Sequence, residues 1–197
     1  MAQGYRKRGS LYVAALLLTA TLGATPAQAG PVFEPAVQLE GYGAGQNVTV
    51  YYNGADHTVF AGQYQAHYSG PGPWPAAGQF WTFTTDVGNW AAPGASYGVG
   101  VNSTDGLNQG GSIGWLFNHL GGDQLHSNVL AAGIQLALWD LAIDGGDGLW
   151  NGDFRYTGAD VIALQAAILL DEAKHQHEKG IWLKSNGDGP SVLYRKD

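Results

Sequence analysis

The sequence predicts a single α+β domain, an antiparallel β-sandwich or barrel with an inserted helical subdomain of about three helices. Up to about Val101 apolar and polar residues alternate, which is the period of a half-buried strand. After Gly110-Gly111 apolar residues recur every three to four positions, which is the period of a helix. Strand-like segments return near the end of the chain, so the helices are inserted between strands of one domain.

The predicted strands include one clear hairpin. Asn53-Gly54 supplies the two residues with positive φ that a tight turn needs. The segment 70–75 carries three prolines and is predicted to be a surface loop, because proline cannot donate to a strand ladder. The predicted strand segments are 48–52, 58–60, 63–68, 80–87, 97–101, 181–184 and 192–194.

The predicted helices follow from capping residues and apolar periodicity. Ser112 is expected to cap a short helix, and Ser127 is expected to cap a central helix that ends near Asp144. The last helix is predicted over 159–179. It is apolar through Leu170, so its first turns are expected to be buried.

The N-terminus has the pattern of a secretory signal peptide. Three basic residues at 6–8 precede an apolar segment at 11–22, and a small-x-small pattern ends at Ala29. We expect residues 1–29 to be removed and residues 30–197 to form the mature domain. The apolar segment is too short for a membrane anchor and none of spanning length follows it. The mature chain is therefore expected to be secreted or extracytoplasmic, without membrane insertion.

Charge and cysteine content exclude several classes of function. The net charge of the chain is −7, and removing the basic signal peptide lowers it to −10. Nucleic acid is therefore not an expected partner, because it requires a basic surface. The chain has no cysteine, so neither disulfides nor thiol chemistry is available. No motif of a serine hydrolase, zinc protease, P-loop or dinucleotide site occurs, and no catalytic residue or cofactor is assigned.

The central helix is apolar on nearly all sides and carries one amide. Leu130, Ile134 and Leu138 form one apolar stripe, and alanines and other apolar side chains fill most of the remaining surface. Such a helix is buried. The Gln135 carboxamide then needs an internal partner, or its burial costs about 1–3 kcal/mol. Gln165 on the last helix is a second amide among apolar neighbours.

The segment around Gln135 resembles a known signature. Residues 132–140, AGIQLALWD, are similar to the Gln-centred motif of bacterial thioester domains, and 113–118, IGWLFN, is similar to a helix of that family. The family's Cys motif corresponds to 80–87, FWTFTTDV, where Thr84 stands at the Cys position. The resemblance covers the chain from about residue 36 onward.

The resemblance implies a site and a function. In the family, the Cys is joined to the Gln side chain, and the thioester captures an amine on a partner at the cell surface. The implied remnant of this site in the present chain is Thr84, Asp86, Gln135 and Trp139. A hydroxyl is a weaker nucleophile than a thiolate. We therefore expect a hydrogen bond between Thr84 and Gln135, with a Thr–Gln ester as the alternative. The implied function is non-covalent, adhesion-like binding to an extracellular or envelope protein or polysaccharide.

The glycine-rich loop 144–153 is a candidate metal site. Its oxygen-bearing side chains, which suit Ca²⁺, are those of Asp144, Asp147, Asn151 and Asp153. Their spacing differs from that of the EF-hand loop. A polar connection between two helices, without a bound ion, is the other interpretation.

Aromatic residues form a further candidate site. Aromatic side chains are favoured at recognition surfaces, although they also form cross-strand pairs on sheets. The aromatics that exceed the needs of one small core are Tyr42, Tyr51, Tyr52, Tyr64, Tyr68, Trp74 and Trp90. The candidates for binding a partner are Tyr64, Tyr68, Trp74 and Trp90.

Two rival functions stay open. A secreted hydrolase acting on glycans would use a carboxylate pair drawn from Asp86, Asp140 and Glu172. A structural envelope protein would be stabilised by Ca²⁺. An enzyme should show converging carboxylates in a cleft, whereas an adhesion module should show an exposed aromatic patch.

Overall fold

The computed structural model describes residues 34–71, 73, 75–89 and 92–195. They belong to the unit Phe33–Asp197. The predicted signal peptide lies outside the described residues. The elements, in chain order, are β1 (Ala36–Tyr52), β2 (Ala55–Tyr68), β3 (Gly78–Thr82), β4 (Ser96–Ser103), α1 (Gly110–Leu116), α2 (Asn128–Asp144), β5 (Arg155–Tyr156), α3 (Val161–Ala173), β6 (Ile181–Ser185) and β7 (Val192–Tyr194).

The strands form one antiparallel sheet that nearly closes on itself. Its order is β3-β2-β1-β4-β6-β7, and β5 pairs with β1. After β3 the chain meets β7, because Thr84 bridges Val192 and the Leu193 N–H donates to the Phe83 carbonyl at 3.2 Å. The prediction of an α+β class with a barrel-like antiparallel sheet and three helices is confirmed. The sandwich alternative is not.

The β1–β2 hairpin is the longest pairing in the sheet. Asn53 and Gly54 have φ values of 51° and 83°, as the predicted turn requires. Val48, Val50 and Val59 are buried in the core between the sheet and the helices. A second, smaller core contains Leu39, Tyr64, Tyr68, Leu183 and Val192, among others.

Helix α2 lies at the centre of the main core. Every residue from Ala131 to Leu141 is buried. The predicted cap is confirmed, because the Ser127 hydroxyl accepts the Leu130 N–H at 3.2 Å. The other two predicted helix starts are wrong. Helix α1 begins two residues before Ser112, which is buried inside it, and α3 is capped by Asp160.

Helix α3 packs on α2 along one side only. Gly133 lies at this contact, where a Cβ would be 2.7 Å from the Cγ of Gln165, and Gln165 itself is half-buried. The prediction that the first turns of α3 are buried is wrong for one face of the helix, because the side chains of Val161, Leu164 and Ile168 are exposed there. The helix also ends at Ala173, before the predicted position. Among the described residues, no helix has the length and apolar character needed to cross a membrane.

Candidate functional site

The Gln135 carboxamide is fully buried and bonded to a single residue of the strand region. Its Nε2 donates to the Thr84 carbonyl at 2.8 Å, and its Oε1 accepts the Thr84 N–H at 3.2 Å. The amide therefore satisfies both backbone groups of Thr84, as a neighbouring strand would. Both polar atoms of the Gln135 carboxamide therefore have hydrogen-bond partners inside the apolar core.

The side chain of Thr84 takes part in the same contact. Its hydroxyl lies 3.4 Å from Gln135 Oε1, and the residue is 2% exposed. The predicted contact is present, but 3.4 Å is long for a hydroxyl donor, so the two backbone bonds carry most of the pairing. In the described part of the chain, this hydroxyl bonds to the amide oxygen and to no carboxylate or imidazole. Activation of the hydroxyl as a nucleophile would require such a base.

The segment 82–85 is held against β7, and this fixes the position of Thr84. The Thr82 hydroxyl donates to the Leu193 carbonyl at 2.6 Å, and the Thr85 N–H donates to the Ser191 carbonyl at 2.9 Å. All three threonines of the segment are buried. Thr84 thus lies between β7 on one side and α2 on the other.

Trp139 and Asp86 lie near the pair. Trp139 is one helical turn after Gln135, is 2% exposed, and packs against Phe154 with ring centroids 5.9 Å apart. Its indole Nε1 has no hydrogen-bond partner among the described residues. The Asp86 carboxylate accepts the Ser191 N–H at 2.7 Å. One open cleft is lined by Thr84, Asp86 and Trp139. Gln135 is not part of its lining but is bonded to Thr84, which is.

This cleft has a volume of about 400 Å³ and a wall of aromatic rings. Tyr42, Phe60 and Tyr64, here called the ring cluster, lie with centroids 4.6 to 5.5 Å apart. Tyr42 is 55% exposed, whereas Tyr64 is 4% exposed. Burial, together with the nearby Tyr42, raises the pKa of Tyr64 well above its usual range. Its hydroxyl therefore stays protonated and able to donate a hydrogen bond at all physiological pH values.

The four candidate binding aromatics have different places. Tyr64 lines the cleft. Tyr68 is 1% exposed and belongs to the second core, so it cannot contact a partner. Trp74 and Trp90 lie outside the described residues. Phe60 was not singled out from the sequence, because a single aromatic in an alternating strand is indistinguishable from a core residue.

The C-terminal end of α2 brings three acids together. Carboxylate oxygens of Asp140, Asp144 and Asp147, here called the acid cluster, all lie within 4.8 Å of one another. The pKa of Asp140 is raised to about 7, chiefly by burial. The hydrogen bond from the Gly148 N–H opposes this rise, and the negative charges of Asp147 and Asp144 contribute to it. The sequence signal for Asp140 was its i, i+4 spacing from Asp144, which places both on one helix face.

The other predicted metal ligands have different roles. The Asp153 side chain lies outside the acid cluster, and its backbone N–H donates to the Asp144 carboxylate at 3.1 Å. The Asn151 amide donates to the Asp147 carbonyl at 3.1 Å.

The three acids considered for hydrolysis lie in different parts of the structure. Asp86 lines the cleft, Asp140 belongs to the acid cluster, and Glu172 is exposed near the end of α3.

Gln63 is a buried amide that the sequence did not reveal. Its Nε2 donates to the carbonyls of Gly121 and Asp123 at 3.0 and 2.6 Å, and its Oε1 accepts the Leu125 N–H at 2.9 Å. It fixes the segment that leads into α2.

Comparison of the chain with models of known protein families, with curated proteins and with solved structures found no match.

Proposed function

We propose that the chain is an exported, non-covalent interaction module that resembles a bacterial thioester domain in which Thr84 replaces the reactive Cys. The supporting observation is the pairing of the buried Gln135 amide with Thr84, at the edge of an open cleft. On this proposal, the three helices correspond to the inserted helical subdomain of that family, and residues 1–29 direct export.

The chemistry of the pair supports binding without a covalent bond. A thioester requires a thiolate, and the chain has no cysteine. In the described residues, the Thr84 hydroxyl makes no hydrogen bond to a base, and the amide oxygen that it contacts already accepts the Thr84 N–H. The Gln135 amide therefore acts as a structural link that holds the edge of the cleft.

The cleft has the composition of a site for a short stretch of sugar chain. The ring cluster offers flat apolar surface, and Asn47, Asn89 and Asp86 offer groups that can bond to hydroxyls. A volume of about 400 Å³ lies within the range of pockets for small ligands. The net charge of the mature chain disfavours acidic polymers. We therefore propose a neutral envelope or extracellular polysaccharide as the ligand.

A capture experiment tests this function. The mature protein, immobilised, is exposed to the envelope fraction of its own cells and then washed with buffer or with denaturant. We expect capture that denaturant releases and that periodate oxidation of the polysaccharide abolishes. Material that survives the denaturant would show a covalent bond. Capture that protease treatment of the envelope abolishes, and periodate does not, would show a protein ligand instead.

Two matched variants test the cleft itself. Tyr42→Ala removes the exposed ring of the cluster and should weaken capture by about tenfold or more. Trp150→Ala removes a ring of similar exposure, 56% against 55%, that does not line this cleft, and should leave capture unchanged. Equal effects of the two variants would place the ligand elsewhere.

The rival hydrolase requires a second carboxylate beside Asp86. Among the described residues that line the cleft, Asp86 is the one acid, and its carboxylate accepts the Ser191 N–H. This favours binding over hydrolysis. Release of reducing ends from envelope polysaccharide, lost in Asp86→Asn, would establish the rival instead.

A further inference from the structure

The acid cluster at the end of α2 lies outside the cleft and has no part in the proposed function. We propose that Asp140, Asp144 and Asp147 bind one hard divalent cation, Ca²⁺. The set differs from that expected from the loop sequence, because it includes the buried Asp140 of the helix and excludes the side chain of Asp153.

The geometry brings the three carboxylates to one point. Asp140 and Asp144 share a helix face, and the chain then turns back at Gly145 and Gly146, whose φ values of 76° and 81° favour glycine. The ligand oxygens lie within 4.8 Å of one another. Two oxygens bound to the same Ca²⁺ at about 2.3–2.6 Å can be at most about 5 Å apart, so one ion can contact all three acids.

A second and independent observation is the state of Asp140. Its residue exposure is 0%. Its Oδ2 accepts the Gly148 N–H at 3.3 Å, whereas its Oδ1 has no hydrogen-bond partner in the described part of the chain. A buried carboxylate is normally paired, hydrogen-bonded or bound to a metal. The contacts of the folded chain account for one oxygen, and a cation in the cluster accounts for the other.

The surrounding charges favour a cation. The charges that act on Asp140 are those of Asp144 and Asp147, which are both negative. Lys174 borders the same surface depression as Asp147, but its ammonium pairs with Asp171. Backbone N–H groups of Asp153 and Phe154 donate to the Asp144 carboxylate, but no cationic side chain among the described residues forms a salt bridge with the three acids. A divalent ion would therefore offset their mutual repulsion.

The choice of Ca²⁺ follows from the ligands and from access. All three side chains provide oxygen, which hard cations prefer. Asp144 is half-buried and Asp147 is exposed, so the site opens to solvent and water can complete the coordination. The glycine-rich loop is flexible enough for the variable coordination of Ca²⁺, whereas Mg²⁺ demands a near-ideal octahedron.

Ion binding is tested on the mature protein after chelator treatment. Tb³⁺ replaces Ca²⁺ and emits when nearby tryptophans are excited. We expect Trp-sensitised Tb³⁺ emission that Ca²⁺ displaces, and a melting temperature that rises with Ca²⁺ at about 1 mM, the concentration range of extracellular Ca²⁺ sites. The absence of both responses in the native protein would overturn the proposal.

Three variants locate the ion. Asp147→Asn changes an exposed residue and should weaken the Ca²⁺ response by about tenfold without loss of folding. Asp140→Asn should abolish the response, yet its melting temperature in chelator should equal or exceed that of the native protein, because a buried, repelled charge is removed. Asp153→Asn is the matched control and should respond as the native protein does. If Asp153→Asn loses as much of the Ca²⁺ response as Asp147→Asn does, the assignment of the ligands is overturned.

Discussion

Two buried glutamine amides hold irregular backbone in this protein. Gln135 bonds the N–H and the carbonyl of Thr84, and Gln63 bonds three backbone groups in the segment before α2. A carboxamide has a donor and an acceptor at the spacing of a peptide group, so it can replace a strand neighbour where no strand is present. At the scale of single residues, these amides determine how the helices are attached to the sheet.

Replacement of Gln135 should be among the most damaging single changes. Gln135→Ala leaves the buried N–H and carbonyl of Thr84 without these partners and opens a cavity, so we expect the free energy of unfolding to fall by about 3 kcal/mol. Gln165→Ala, a half-buried amide on α3, should cost less than about 1 kcal/mol. Urea denaturation of both variants measures the difference. Equal losses of unfolding free energy in the two variants would show that the contact with Thr84 contributes no more to stability than the contacts of Gln165.

The chemistry of position 84 can be tested by mass. The native protein should show no mass deficit of one ammonia and should not couple to methylamine. In Thr84→Cys, the thiolate can attack the Gln135 amide carbon, so that an S–C bond forms, the C–N bond breaks and ammonia leaves. Intact-mass spectrometry detects the loss, with Thr84→Ser as control. A deficit in the native protein would reveal an ester, and no deficit in Thr84→Cys would show that the pair is misaligned for this reaction.

Sequence patterns identified some site residues and missed others for physical reasons. Gln135 interrupts an otherwise apolar helix, so its need for a partner was evident from the sequence. Gln63 was not recognised, because polar residues alternate with apolar ones in most strands. Asp140 was not among the predicted metal ligands, because only the fold shows that the chain after Gly145 brings Asp147 back beside it.

At the scale of elements, α3 depends on its cap. The Asp160 carboxylate accepts the N–H groups of Ile162 and Ala163, and it also accepts the Tyr156 hydroxyl at 2.9 Å. One side chain thus joins the first turn of α3 to β5. Burial, together with this bond and the charge of Asp160, raises the pKa of Tyr156 to about 12, so the hydroxyl remains a donor.

The cap can be tested against a matched acid on the same helix. Asp160→Ala should lower the free energy of unfolding by about 1–2 kcal/mol, because two helix N–H groups lose their acceptor. Asp171→Ala removes an exposed acid that pairs with Lys174 and should leave the free energy of unfolding nearly unchanged, because exposed ion pairs contribute little. Thermal and urea unfolding compare them. A loss for Asp171→Ala as large as that for Asp160→Ala would contradict the capping role.

The existence of the elements was easier to predict than their ends. The β1–β2 hairpin, the central helix and the closing β6–β7 hairpin follow from turn residues and periodicity. The start of α1 was missed because its N-cap, Gln109, has a φ of 48° and makes no side-chain cap bond. The exposed stripe of α3 could not be foreseen, because an apolar face looks the same in sequence whether or not another element covers it.

At the scale of the whole molecule, the proposed export leads to a prediction about the N-terminus of the mature protein. Ala27 and Ala29 occupy the small-residue positions that a signal peptidase reads, so secreted protein should begin at Gly30. N-terminal sequencing of material from the medium or envelope decides this. Recovery of mature protein that still carries residues 1–29 would indicate an anchor instead.

The junction between segment 82–85 and β7 also determines when folding can finish. The Thr82–Leu193 bond joins residues 111 positions apart, and pairings between distant residues form slowly. A chain that emerges N-terminus first cannot make this junction until β7 has followed. Until then the core between sheet and helices remains open and prone to aggregation. The native state is therefore reached only after β7 has been synthesised, however early the β1–β2 hairpin forms.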